Sequence, residues 1–202
     1  MAAGCATKKA YTPVDVMPNV KAAGQVQCVD NFEVLLDKSD SMNPWYNRDS
    51  KLAIAKQTTS EMAQTIPAGA KLTSGIRLFG SEYVAGSASS WMHYGMSPFV
   101  NSDFQNALVN IGSRGLGRTP LSEALAGAGG DLKGLSGKSA IIIVSDFEDI
   151  VGIDDIRAKS VAEGVAKLKA DYGDRVCNYP IQVGNDPVAK KYAELIIAES
   201  KC

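Results

Sequence analysis

The chain has 202 residues, 45% of them hydrophobic and 21% charged, and a formal net charge of −1. At that length a single core buries roughly 70% of the unfolded chain's surface, so the composition argues against a disordered polypeptide. The near-zero charge speaks against a basic nucleic-acid binder and a polybasic membrane patch, and no apolar run approaches the ~20 residues that span a bilayer.

In chain order, residues 1–27 are polar and Pro-containing and read as a flexible tether, with one domain over residues 28–202. Phe32 to Leu36 is a short apolar strand that ends at Asp37. Lys51 to Ile66 carries Leu52, Ile54, Ala55, Met62 and Ile66 near helical spacing and stops at Pro67. Leu72 to Phe79 alternates as a strand, and the Ser- and Gly-rich Tyr83 to Tyr94 reads as an edge hairpin or strand. Ser102-Asp103-Phe104-Gln105 has a capping-box pattern that opens a helix to about Ile111. Pro120 takes a first-turn position ahead of a helix from Leu121 to Leu132. Ala140 to Val144 is a strand buried on both faces, Asp154-Asp155 opens a helix to about Tyr172, and a strand Val176 to Val183 precedes a helix Pro187 to Ser200. This alternation predicts an α/β fold with a mostly parallel sheet covered by helices on both faces. Ligands of such sheets bind at the carboxyl ends of the strands, near a switch in topology.

The small residues ahead of Cys5 in Met1-Ala2-Ala3-Gly4-Cys5-Ala6 resemble the end of a bacterial lipoprotein signal, in which the Cys is acylated. The apolar stretch that normally precedes such a Cys is missing, so the leader reads as replaced by Met1-Ala2. The alternative is an accidental cysteine in an ordinary N-terminus. Of the remaining thiols, Cys177 and Cys202 are the favoured disulfide. A strand of about eight residues spans ~26 Å and its return helix ~21 Å, which brings their outer ends together. A disulfide there suits an oxidising compartment such as the periplasm. Four unrelated thiols is the alternative, and Cys28 reads as a packed or partly exposed thiol.

The polar residues at the strand ends carry the functional signal. The first strand ends in Asp37-Lys38-Ser39-Asp40-Ser41, the Ile-rich strand in Ser145-Asp146-Phe147-Glu148-Asp149, and Gly117-Arg118-Thr119-Pro120-Leu121 lies between. Two acidic groups delivered to one sheet edge, with serine and threonine hydroxyls, make a hard-oxygen pocket suited to a small divalent cation such as Mg²⁺.

Asp-x-Ser-x-Ser at a first strand end, then Gly-x-Thr-Pro-Leu, then an apolar strand ending in Asp, resembles the von Willebrand factor A domain. The resemblance covers about Asn31 to the C-terminus. It implies a three-layer Rossmann-like fold with one antiparallel edge strand, and a metal-ion-dependent adhesion site at Asp37, Ser39, Ser41, Thr119 and Asp146. Ser39 and Ser41 would be direct ligands, Asp37 and Asp146 direct or water-mediated, and Thr119 direct in the ligand-bound state. The expected cation is Mg²⁺, with Mn²⁺ or Ca²⁺ as alternatives, and the expected partner is a protein that completes the coordination with an Asp or Glu. The implied role is affinity without catalysis. Lys38 and Phe147 depart from the pattern: Lys38 would compete electrostatically with the cation, and Phe147 stands where Gly is common. With the lipoprotein-like Cys5, the chain is similar to bacterial periplasmic lipoproteins in which such a domain precedes an OmpA-like peptidoglycan-binding domain. That places it at the outer membrane through a lipid anchor, with a peptidoglycan link through a domain beyond Cys202.

Other readings are weaker. A haloacid-dehalogenase-type phosphohydrolase wants Asp-x-Asp, and position 39 is Ser. A structural envelope lipoprotein with an inactive metal site is the remaining alternative. Glu148, Asp149, Asp154 and Asp155 read as a solvated loop and helix start, with a second cation site as the alternative, and His93 as a surface or hairpin residue. Trp91, Met92, Tyr94, Met96 and Phe99 read as edge-strand core packing, with a partner patch second.

Overall fold

The computed structural model describes residues 12, 29–47, 49–67, 69–80, 88–148 and 154–202, so Cys5, Cys28 and nearly all of the tether lie outside it. The central strand β1 (Asn31–Asp37) is buried along its whole length. Helices cover both of its faces, so Phe32, Val34 and Leu36 on one side and Leu35 on the other are all buried, and Glu33 is buried with them. It pairs in parallel with β4 (Thr73–Phe79) on one side and β6 (Ser139–Ser145) on the other. Strand β7 (Val176–Gln182) extends the sheet beyond β6 in parallel, and β5 (Ser90–Pro98) closes the opposite edge antiparallel to β4. The sheet order is β5-β4-β1-β6-β7.

Two cores flank the sheet. Phe32, Val34 and Leu36 pack with Leu52, Ala55 and Ala63 of helix α1 (Lys51–Gln64) and Phe104 and Leu108 of helix α2 (Asn101–Val109). On the other face Leu35 meets residues of α3 (Leu121–Asp131), α4 (Asp154–Tyr172) and α5 (Pro187–Ser200). The chain therefore leaves β1 toward one face and β6 toward the other. Their adjacent carboxyl ends thus form a switch in topology, the usual ligand position in open α/β sheets. Between β1 and α1 lie a 3₁₀ turn (Asp40–Met42) and a two-residue hairpin, β2 (Trp45–Tyr46) with β3 (Asp49–Ser50).

The mostly parallel sheet with one antiparallel edge strand and helices on both faces agrees with the sequence reading. Several details differ. The edge strand runs from Ser90 to Pro98, later than expected, and residues 83–87 of the expected segment lie outside the described residues. The capping box is not formed. Helix α2 starts at Asn101 with Val100 at its N-cap, and no side chain caps it. Gln105 is taken instead by Ser60 of α1, whose hydroxyl donates to it at 2.6 Å and whose carbonyl accepts from it at 3.0 Å. A tertiary contact has outcompeted the local one. His93 lies half-buried on this edge strand, with its Nε2 2.9 Å from the Ala107 carbonyl of α2. Trp91, Tyr94 and Phe99 pack against the core that holds Phe32 and Phe104. The Phe99 and Phe104 rings lie 5.5 Å from the Phe32 ring, centroid to centroid. At the far end of β7, Cys177 and Cys202 form a disulfide with their Cα atoms 5.8 Å apart. Lys201, at φ 50°, ends α5 and turns the chain back to that strand.

Candidate functional site

The sheet edge at the ends of β1 and β6 is built from three loops. Asp37 is the last residue of β1 and is fully buried. Its Oδ1 accepts the Ser39 backbone N–H at 2.8 Å, which bends the chain into the 3₁₀ turn, and its Oδ2 accepts the Ser145 hydroxyl. Ser39 Oγ lies 3.0 Å from Ser41 Oγ, and Ser41 Oγ donates to Asp146 Oδ1 at 3.1 Å. A chain of hydrogen bonds thus joins the turn after β1 to the residue after β6. The Ser145 hydroxyl also receives the Phe147 N–H at 2.9 Å. Phe147 is buried with φ 56°, in the left-handed region. That backbone explains why Gly suits this position. Here an aromatic side chain anchored in the core offsets the strain.

The third loop, 114–120, is stitched to the first. Leu116 N–H donates to the Lys38 carbonyl at 2.7 Å and Asp40 N–H to the Gly117 carbonyl at 2.8 Å. Asn43 Oδ1 accepts from Gly115 N–H at 2.7 Å, and Asn43 Nδ2 donates to the Gly115 carbonyl at 3.1 Å. The approach is so close that a Cβ on Gly115 would lie 1.9 Å from the Ser39 carbonyl oxygen. This loop carries Thr119, whose hydroxyl is buried and has no hydrogen-bond partner.

Of the residues singled out in the sequence, Asp37, Ser39, Ser41 and Asp146 are joined by hydrogen bonds either directly or through Ser145 and the 3₁₀ turn, and Thr119 sits in the loop clasped against them. Two residues behave otherwise than expected. The ammonium of Lys38 donates to the Arg114 carbonyl at 2.7 Å. The ammonium on the carboxylates belongs to Lys51, which bonds Asp146 Oδ2 at 2.9 Å and also Glu148 Oε1. Glu148 is therefore an ion-paired residue of this edge and not part of a freely solvated loop. Lys51 escaped the sequence reading, although its place at the start of the helix following β1 puts it at the edge where Asp37 ends.

Electrostatically the edge is acidic, and its carboxylates are buried. Burial, then the neighbouring Asp146 charge, raise the Asp37 carboxyl to about 7, against the pull of the Ser145 and Ser39 hydrogen bonds. Burial works to lower the Lys51 ammonium, but Glu148 and Asp146 hold it above its ordinary value. Among the described residues no three His, Cys, Asp or Glu side chains gather as a metal-binding group. The set is instead two carboxylates and three hydroxyls, the hard, mostly neutral donors that suit a cation retaining several waters. With a buried hydroxyl lacking a partner, these residues fit a small divalent ion.

No protein-family model matches the sequence. The chain is 28% identical over 165 residues to the uncharacterized protein YwmD of Bacillus subtilis (strain 168), covering 77% of this chain and 69% of that protein. It is 29% identical over 146 residues to the uncharacterized protein YwmC of the same organism, covering 68% of this chain and 63% of that one. Among solved structures, proximal thread matrix protein 1 from the mussel byssus superposes with a TM-score of 0.58 at 17% identity, over 82% of this chain and 40% of that one. A von Willebrand factor type A protein from Catenulispora acidiphila superposes with a TM-score of 0.50 at 14% identity, over 85% of this chain and 42% of that one. The chain thus spans about two fifths of each solved neighbour. The likeness to the Catenulispora protein shows a three-layer von Willebrand factor A-type fold.

Proposed function

We propose that this von Willebrand factor A-type fold is a metal-dependent protein-binding module of the bacterial cell envelope. Asp37, Ser39, Ser41, Thr119 and Asp146 would hold Mg²⁺, with Mn²⁺ or Ca²⁺ as substitutes. When bound, the ion supplies a Lewis-acidic position for an Asp or Glu of the partner protein. The observation that supports the reading is the hydrogen-bonded cluster of Asp37, Ser39, Ser41 and Asp146 at the adjacent carboxyl ends of β1 and β6, with Thr119 in a loop bonded to the turn after β1. Thr119 keeps a buried hydroxyl with no partner. The exposed Trp45, on the hairpin between Ser41 and α1, provides an apolar contact at the rim for such a partner. The role is adhesion or scaffolding without turnover, since Ser39 stands where a phosphohydrolase would need its second Asp. A lipid anchor on Cys5 and an outer-membrane, periplasmic location belong to the same proposal. The Cys177–Cys202 disulfide supports an oxidising compartment.

Thermal unfolding of chelator-treated protein, with and without millimolar Mg²⁺, Mn²⁺ or Ca²⁺, tests it. A cation at about 100 times its dissociation constant adds roughly 2.7 kcal/mol, several degrees for a domain of this size. Asp37→Asn is the informative variant: it removes the charge but can still accept from Ser39 N–H and meet the Ser145 hydroxyl. A gain in wild type that vanishes in Asp37→Asn is the expected result. No gain with any cation would reject the metal site and leave a structural envelope protein.

A further inference from the structure

Lys51 occupies a place that works against a lysine twice over. It is the first residue of α1, at the end of a helix where the dipole repels a cation, and it is only 6% exposed. What holds it there is the acidic edge. Its ammonium bridges Asp146 Oδ2 and Glu148 Oε1. Both Asp146 oxygens are thereby engaged, because its Oδ1 also takes the Ser41 hydroxyl at 3.1 Å and the Glu148 N–H at 3.2 Å. The two partners differ in environment: the Asp146 side chain is fully buried, whereas that of Glu148 is 37% exposed.

We infer that the Lys51 ammonium is the resident counter-cation of this edge, and that a divalent cation entering the site must take Asp146 from it. The inference rests on the cation-site reading above and deepens it. Without a counter-charge, the buried Asp37 and Asp146 would repel each other at this edge. Lys51 supplies that charge from within the chain. A divalent ion competes for the same carboxylate, and the lysine's flexible stem lets its head stay with the outer Glu148 when Asp146 is given up. Lys51 is thus a positioning residue that sets cation affinity: it stabilises the ion-free domain and raises the concentration at which the site fills.

The test uses the full chain, stripped with chelator, as wild type, Lys51→Met and Lys51→Arg. Mn²⁺ and Mg²⁺ are titrated by calorimetry, and unfolding in chelator is followed in parallel. Lys51→Met is expected to melt several degrees lower than wild type in chelator and to bind the cation at least ~10-fold more tightly, as the loss of a unit charge beside the site implies. Lys51→Arg, which keeps the charge, is expected to bind like wild type. If Lys51→Met does not fold, Lys51→Gln replaces it, with a neutral polar head of comparable reach. Binding by the neutral variant where wild type shows none supports the inference most strongly. Equal affinity in wild type and the neutral variant overturns the competition while leaving the cation site standing. Absence of binding in all variants overturns the competition and the cation-site reading together.

Discussion

Thr119 carries a cost in the ion-free protein. Its hydroxyl is buried and bonded to nothing, and such an atom typically costs ~1–3 kcal/mol. Valine replaces that hydroxyl by a methyl group at nearly constant shape. Thr119→Val is therefore expected to raise the stability of chelator-treated protein by about 1 kcal/mol, read as a later midpoint in urea, and to diminish the gain that a cation confers. Unfolding at a lower urea concentration than wild type would mean the hydroxyl is satisfied in solution, and would remove its claim on an ion. At this scale the legible residues were those whose types punctuate a chain: Asp37 and Asp146 close apolar strands, and Ser39, Ser41 and Thr119 sit in turns. Lys51 was not legible, because a lysine ahead of an apolar helical stripe looks like any solvated first turn. Only the ion pairs with Asp146 and Glu148 separate it from one.

Helices α5 and α2 show why some helix starts can be read and others cannot. Asp186 caps α5, its Oδ1 accepting from Val188 N–H at 2.7 Å and Ala189 N–H at 3.0 Å, with Pro187 pre-shaped for the first turn. Ser102 has equally suitable chemistry but lies inside α2, because Gln105 of the expected motif bonds α1 instead. Local motifs succeed where no tertiary partner bids for the same group. The strand and helix spans were visible through their apolar periods. The Asp40–Met42 turn and the β2–β3 hairpin were not, since segments of two or three residues have no period to detect. Asp186→Ala is expected to cost about 1 kcal/mol in urea unfolding, and Asp186→Asn far less, because Asn caps comparably. An alanine variant with the wild-type midpoint would show that the disulfide and the β7 contacts alone hold α5 in place.

At the scale of the whole molecule, the strand order β5-β4-β1-β6-β7 depends on which face each crossover takes, which no local pattern encodes. The sheet is tied to the helices of one face by a second buried acidic group, Glu33, which lies two residues before Leu35 and four before Asp37 on the same side of β1. Glu33 is fully buried, with Arg77 of β4 at 3.5 Å, while the Arg77 Nε–H is given to Asp131 of α3 at 2.7 Å. Gly127 of α3 makes room for this guanidinium, since a Cβ there would lie 2.6 Å from it. Burial first, and then the Asp131 carboxylate, push Glu33 well above the ordinary carboxylate range, and Arg77 only partly opposes them. The sign of the consequence follows. Above the ordinary glutamate value the unfolded chain releases a proton that the native state retains, so stability falls as pH rises, by at most about 1.4 kcal/mol per pH unit, until the native Glu33 itself ionises. Glu33→Gln, a neutral side chain of the same shape, lacks that slope. In chelator, urea unfolding between pH 5 and 7 should show wild type losing stability relative to Glu33→Gln. The raised Asp37 contributes the same slope to both proteins and cancels from the difference. Parallel stability curves would mean that Glu33 is ionised in the native state and balanced by Arg77, and the buried cluster would then be an ion-pair network spanning β1, β4 and α3 instead of a neutral acid beside an ion pair.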